Sequence, residues 1–201
     1  MSYEINGVPY FVGLKRAPQN TCWALESAIG YGSIPELVGN LGSGELWGIK
    51  SNAIVKKFED FDETNYPAMY WVQNYEPYEN SGEKGDWFLP SAFEAVQIFN
   101  ASEAHDEVLT ALKTVDSSYE LFWDSNKYNY WTSSTNEREK GTDPDTGESI
   151  IESKVWVYRN ELSAIRDEKK SDTTMSGGLG TMSALAVKRF DYKKIAERIY
   201  E

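Results

Sequence analysis

Trp87-Phe88-Leu89-Pro90-Ser91-Ala92-Phe93-Glu94 is the stretch from which the chain is best read. Ser91 followed three residues later by Glu94 predicts a capping box. The serine hydroxyl accepts from the Glu94 amide, and the glutamate carboxylate returns to the Ser91 amide. Phe93, Val96, Ile98 and Phe99 then recur with helical spacing, so a helix begins directly behind Ser91.

Upstream of this helix, residues 56–86 are acidic, with Glu59, Asp60, Asp62, Glu63, Glu76, Glu79, Glu83 and Asp86 against Lys56, Lys57 and Lys84. They read as solvated loop interrupted by one apolar strand, Ala68-Met69-Tyr70-Trp71-Val72. Residues 42–66 are mixed, punctuated by Gly42 and Gly44. A short helix is expected from Ser33, with Pro35 in its first turn and Leu37, Val38 and Leu41 as apolar positions. Another is expected behind Thr21 as N-cap, with Trp23, Leu25, Ala28 and Ile29 inside it and Gly30 at its end. That helix makes Cys22 a buried structural cysteine. Residues 3–14 alternate as strand, with a turn at Asn6-Gly7.

Downstream, Ser102 to Val115 reads as a further helix, with His105 solvated in its first turn beside Glu103, Asp106 and Glu107. Leu121-Phe122-Trp123, Tyr128-Asn129-Tyr130-Trp131, Lys154-Val155-Trp156-Val157-Tyr158 and Leu185 to Phe190 have strand composition. Ile195 and Ile199 place a closing helix over residues 191–201.

The 201 residues suit one domain, 1–201, large enough to bury a core without disulfides or metals. Aromatic residues make up 14% of the chain, with seven Trp and thirteen Tyr, a supply of stiff amphipathic surface that serves either a core or a binding face. The formal charge of −12 repels phosphate backbones and anionic bilayers, which argues against nucleic acid as a partner. The N-terminal residues lack the basic start and apolar core of a signal peptide, and no apolar run reaches membrane-spanning length, so no membrane insertion is expected.

One cysteine and one histidine leave no ligand set for a Cys–His zinc site. Asp143-Pro144-Asp145-Thr146-Gly147 has the alternating-acid spacing of a calcium loop, but Ser153 stands where the terminal bidentate acid belongs; a polar turn is the alternative. Ser176-Gly177-Gly178-Leu179-Gly180-Thr181 is glycine-rich without the lysine and helix of a phosphate cradle, and reads as a loop. The carboxylates are numerous, but no spacing selects a catalytic pair. No catalytic residue, metal or cofactor is therefore expected.

Two motifs, Gly85-Asp86-Trp87-Phe88-Leu89-Pro90-Ser91 and Tyr130-Trp131-Thr132-Ser133-Ser134-Thr135, resemble those of bacterial domains of the DUF1566 and Fibrobacter-major-paralogue type. Strands at Lys154–Tyr158 and Val187–Phe190 follow in that family's order, so the resemblance covers residues 85–190. It implies a C-type-lectin-like fold of α+β class: two or more helices, a small twisted antiparallel sheet whose terminal strands lie side by side, and long loops that carry the ligand. The calcium-binding motifs of true C-type lectins are absent; Glu76-Pro77-Tyr78 is only a partial likeness. The paired cysteines or histidine ligands of the oxidases with a related fold are absent too.

The expected function is thus a non-enzymatic binding or display module that recognises a protein or glycan through loops 124–129, 136–153 and 159–182. A phage or prophage tail or fibre component fits, with a bacterial surface adhesin domain as an alternative. A third alternative is a structural assembly protein that uses its aromatics as contacts in a homo-oligomer or with neighbouring virion subunits. Expected ligand contacts are Trp123, Tyr128, Asn136, Arg159, Asn160 and Arg166. Tyr130 and Trp156 are further candidates for the same patch, some of these aromatics belonging to the core instead, and the Tyr130-Trp131 motif is expected to anchor the core. The expected location is a virion or a bacterial cell surface.

Overall fold

The computed structural model describes residues 2–5, 8–38, 47–100, 110, 113–114, 128–159, 164–175 and 180–190. Strands β1 (Ser2–Ile5) and β2 (Val8–Arg16) pair antiparallel with Ile5 opposite Val8, the hairpin that the Asn6-Gly7 signal predicts. Three α-helices follow among the described residues: α1 (Trp47–Val55), α2 (Pro67–Gln73) and α3 (Ala92–Phe99). Then come β3 (Tyr128–Thr142), β4 (Ser149–Arg159), β5 (Ala164–Lys169), β6 (Thr181–Ser183) and β7 (Leu185–Arg189). The class is α+β, as expected. The strands form two sheets rather than one, ordered β1-β2-β7 and β5-β4-β3-β6, and β6 runs parallel to β3. The last described strand, β7, pairs with β2, the second strand of the N-terminal hairpin, so the first strand, β1, lies at the sheet edge and not beside β7. Among the described residues no helix is long and apolar enough to cross a membrane.

The capping box forms as its sequence requires. Ser91 Oγ accepts from the Glu94 amide at 3.2 Å, and Glu94 Oε2 accepts from the Ser91 amide at 2.8 Å. The motif before it is a junction for the whole fold. Phe88 exchanges both backbone hydrogen bonds with Val187 of β7, at 2.8 and 2.9 Å. The Asn52 side chain of α1 accepts from the Leu89 amide and donates to the Leu89 carbonyl. Gln73 at the end of α2 donates to the Trp87 carbonyl at 2.7 Å.

The second motif docks on the first. Between Trp131, opposite Val157, and Thr135, opposite Val155, β3 carries three residues where β4 carries one. This bulge turns Ser133 so that its amide donates to the Pro90 carbonyl, while Ser134 Oγ accepts from the Ala92 amide. All four polar residues from Thr132 to Thr135 are buried. The two motifs are thus one structural joint.

Alternation along β3 and β4 sends side chains into a core on each face of the larger sheet. Trp131, Val155 and Val157 pack with Trp23, Leu37, Val55, Met69 and Leu89. Tyr130 and Tyr158 pack on the other face with Tyr10, Val12, Phe88, Phe99 and Val187. Each such side chain, when fully buried, stabilises the fold by roughly 1.5–3 kcal/mol.

Several sequence expectations are overturned. Residues 68–72 are not a strand but the middle of α2, started by Pro67 at its first position, where a missing amide costs nothing. The rest of the acidic segment, 56–66 and 74–86, is turn and loop as expected. Residues 47–55, within the stretch read as mixed, are α1. The helix expected behind Thr21 does not form. The Trp23 and Ala24 amides are taken by the Lys170 carbonyl, at 2.9 and 3.0 Å, and only Ile29–Tyr31 turns, as 3₁₀. Cys22 is buried, but not on a helix. The helix expected from Ser33 is reduced to one 3₁₀ turn, Pro35–Leu37, because Val38 leaves to bridge Thr135. The expected loop 136–153 is mostly strand, with residues 143–148 as its turn. Likewise 159–182 holds β5 and most of β6. The expected helices at 102–115 and 191–201 and the strand at 121–123 fall almost entirely outside the described residues.

Candidate binding site

The side chains expected to form one ligand patch are divided by the larger sheet. Trp123 and Asn160 lie outside the described residues, as does His105. Tyr128 is 8% exposed. The Arg16 guanidinium sits 3.8 Å above its ring centroid and Gln19 Nε2 donates to its hydroxyl at 2.8 Å. That makes it a packed residue rather than a free contact. Asn136 donates to Asp167 Oδ2 at 3.3 Å, beside a 2.8 Å pair between Arg138 and Asp167 Oδ1. Arg159 and Arg166 project from the opposite face, since Arg159 stands across from Asn129 and Arg166 across from Val157. Arg166 is about half exposed, 3.3 Å from the buried Glu168 carboxylate. Trp156 is half-buried, whereas Tyr130 and Trp131 are in the core as expected.

The Asp143 segment is a hairpin turn. Asp143 Oδ1 accepts from the Asp145 and Thr146 amides at 2.8 and 3.0 Å, and these donors hold its carboxyl below the usual range. Among the described residues no group of three or more His, Cys, Asp or Glu is placed to hold a metal ion.

A groove of about 640 Å³ opens elsewhere, between the chain leaving β2 and helix α2. Lys15, Pro18 and Thr21 form one side of it. Glu63, Thr64, Pro67, Tyr70, Trp71, Asn74, Tyr75 and Glu76 form the other. Asp62 shapes the entry to α2: its Oδ1 accepts from the Thr64 and Asn65 amides, and its carbonyl from Tyr66. The α2 backbone is tied to the opposite wall where the Ala68 amide donates to the Cys22 carbonyl at 3.2 Å.

The inner end is aromatic and rigid. Tyr75 is buried, packs edge-on against Trp87 at 4.8 Å, and lies 5.3 Å from the Trp71 ring. Its hydroxyl accepts from the Leu14 amide at 2.8 Å, and burial pushes its pKa up. The contact requires glycine at position 13, where a Cβ would come within 2.9 Å of the Tyr75 ring. Trp71 and Tyr70 are half-buried, so part of each ring remains open. On the rim, Glu76 accepts from the Gly82 amide and lies 3.6 Å from Lys84. Thr21 donates to the Pro18 carbonyl at 2.6 Å.

A second polar centre is sealed inside. Lys170 Nζ donates to the Gly30 and Gly32 carbonyls at 2.8 and 2.6 Å and lies 5.2 Å from the Trp23 ring centroid. Burial pushes its pKa down to about 7.

Sequence reasoning missed the groove because it read Tyr70 and Trp71 as strand residues. The signal lay in Pro67, a helix-starting proline with Tyr70 and Trp71 three and four positions on. Compared with known proteins, the chain matches no family model, no curated protein and no solved structure.

Proposed function

We propose that the chain is a non-enzymatic recognition module of C-type-lectin-like architecture, displayed on a virion or a bacterial surface. The adjacency of β2 and β7 and the docking of the two resemblance motifs on one another support that fold. The observation that carries the function is the groove beside α2. Its floor is set by aromatic rings held by the core, its rim by polar side chains, and its volume falls in the roughly 300–1,000 Å³ span of small-ligand sites. Recognition thus moves from the expected loop patch to the α2 face. Labelled protein incubated with bacterial surfaces, with and without a calcium chelator, tests this. Saturable, chelator-insensitive retention is expected; absence of retention on every surface tried overturns it.

A second reading, assembly into a larger structure, is favoured by one observation. The outer parts of β3 and β4 extend past the last β5 pair, Lys154 with Lys169, as a two-stranded ribbon carrying exposed Ile150 and Ile151.

A further inference from the structure

We propose that the α2 groove takes a neutral saccharide, stacked on Trp71 and hydrogen-bonded along the rim beside Glu63 and Asn74. This rests on the recognition function proposed above and names its ligand class. Charge excludes most alternatives first. One lysine and two glutamates line the groove, and Lys84, 3.6 Å from Glu76, offsets one of the glutamates. Lys15 and Glu63 then balance, so the groove is near neutral in a chain of net charge −12. An anionic ligand finds no surplus of positive charge to hold it. A cationic peptide finds no surplus of negative charge to be steered by.

The neutral candidates differ in hydrogen-bonding capacity. Carboxylates only accept, so a ligand that satisfies Glu63 must bring donors. A polyproline-type segment fits aromatic grooves but offers carbonyl acceptors and few donors. A saccharide brings hydroxyls that donate to Glu63 and accept from the Asn74 amide and the Lys15 ammonium. The apolar C–H face of its ring meets the open part of the Trp71 indole. The ring is pre-positioned: Tyr75 packs beside it and is itself fixed by Leu14 and Trp87. Little ordering remains to be done on binding.

The test uses the whole chain against an immobilised panel of neutral hexose and N-acetylhexosamine oligomers. Sialylated and sulfated oligomers, a proline-rich peptide and a lysine-rich peptide complete the panel. Trp71→Ala, Trp71→Phe and Glu63→Ala are compared with the parent, with folding checked by thermal unfolding. Glu63 is exposed, so its variant reports on the groove even if Trp71→Ala is unstable. Binding to a neutral saccharide is expected, roughly tenfold weaker in Trp71→Ala and in Glu63→Ala and largely kept in Trp71→Phe. Saccharide binding that survives Trp71→Ala and Glu63→Ala overturns the groove assignment while leaving recognition in place. Binding only to a charged probe or to the proline-rich peptide overturns the ligand class. No binding to any probe overturns the saccharide and, together with absence of surface retention, recognition itself.

Discussion

Lys170 is the residue whose environment departs most from its ordinary chemistry. Its ammonium is held by two backbone carbonyls and an indole face rather than by a directly bonded carboxylate, with Glu137 the one charge that favours its protonated form. Burial lowers the folded pKa to about 7, whereas an unfolded lysine titrates near 10.4. Between these values the unfolded chain binds a proton that the folded chain does not. Stability therefore rises with pH across that window, and below it both states are protonated and the full cost of burial is borne. Urea unfolding of the parent should show a gain of about 2 kcal/mol between pH 7 and 9, and Lys170→Met should abolish that gain. A parent whose stability is flat or falling over this range would contradict a buried, proton-shedding lysine.

At the scale of elements, Glu94 joins two helices and a strand. Its carboxylate accepts from the Ser91 amide at the start of α3, from the Gly48 amide in the first turn of α1, and from the Tyr10 hydroxyl of β2. The close approach needs glycine at 48, where a Cβ would come within 2.4 Å of Glu94 Oε2 and 2.7 Å of the Phe88 ring. Gly48→Ala improves helix propensity by up to about 1 kcal/mol, yet should destabilise the protein by roughly 1–3 kcal/mol through overpacking. Chemical denaturation checks this; a stabilised variant would mean that the carboxylate shifts freely and α1 is not locked to α3.

The capping box was legible because both halves of its chemistry sit within four residues. Helix α1 was not, because Ile49, Ile54 and Val55 make no clear apolar stripe, and its burial depends on partners as distant as Leu89. Strand β5, Ala164-Ile165-Arg166-Asp167-Glu168-Lys169, reads as polar surface. Only pairing with β4 makes it a strand, with Asp167 and Glu168 buried. The candidate site was the least legible part. Tyr128 and Arg166 have the right side chains for a ligand, but they face opposite sides of the sheet. That follows only from the register that sets Arg159 across from Asn129 and Arg166 across from Val157, which no local pattern supplies.

For the whole molecule, self-association turns on the ribbon. Two-stranded ribbons are marginal in water, and an open strand edge is a template for pairing. Among the described residues, no strand lies beside Ser149–Ser153 on the side away from β3, and Ile150 and Ile151 are 44% and 50% exposed. If this edge pairs antiparallel with the same edge of a second copy about Ile151, Glu148 of each chain faces Lys154 of the other, so charge favours that register. Against it, Lys140 and Lys154 lie 3.9 and 3.5 Å from Glu152, and charged side chains on an edge commonly keep strands apart. Assembly through the ribbon requires a concentration-dependent dimer by sedimentation, lost in Ile151→Lys with no fall in thermal stability, because the side chain is exposed in the monomer. Recognition by an independent module requires a monomer at every concentration. Because the ribbon and the α2 groove are built from different elements, Ile151→Lys should leave saccharide binding unchanged in either case, and a joint loss would mean that the groove is completed only in the assembled state.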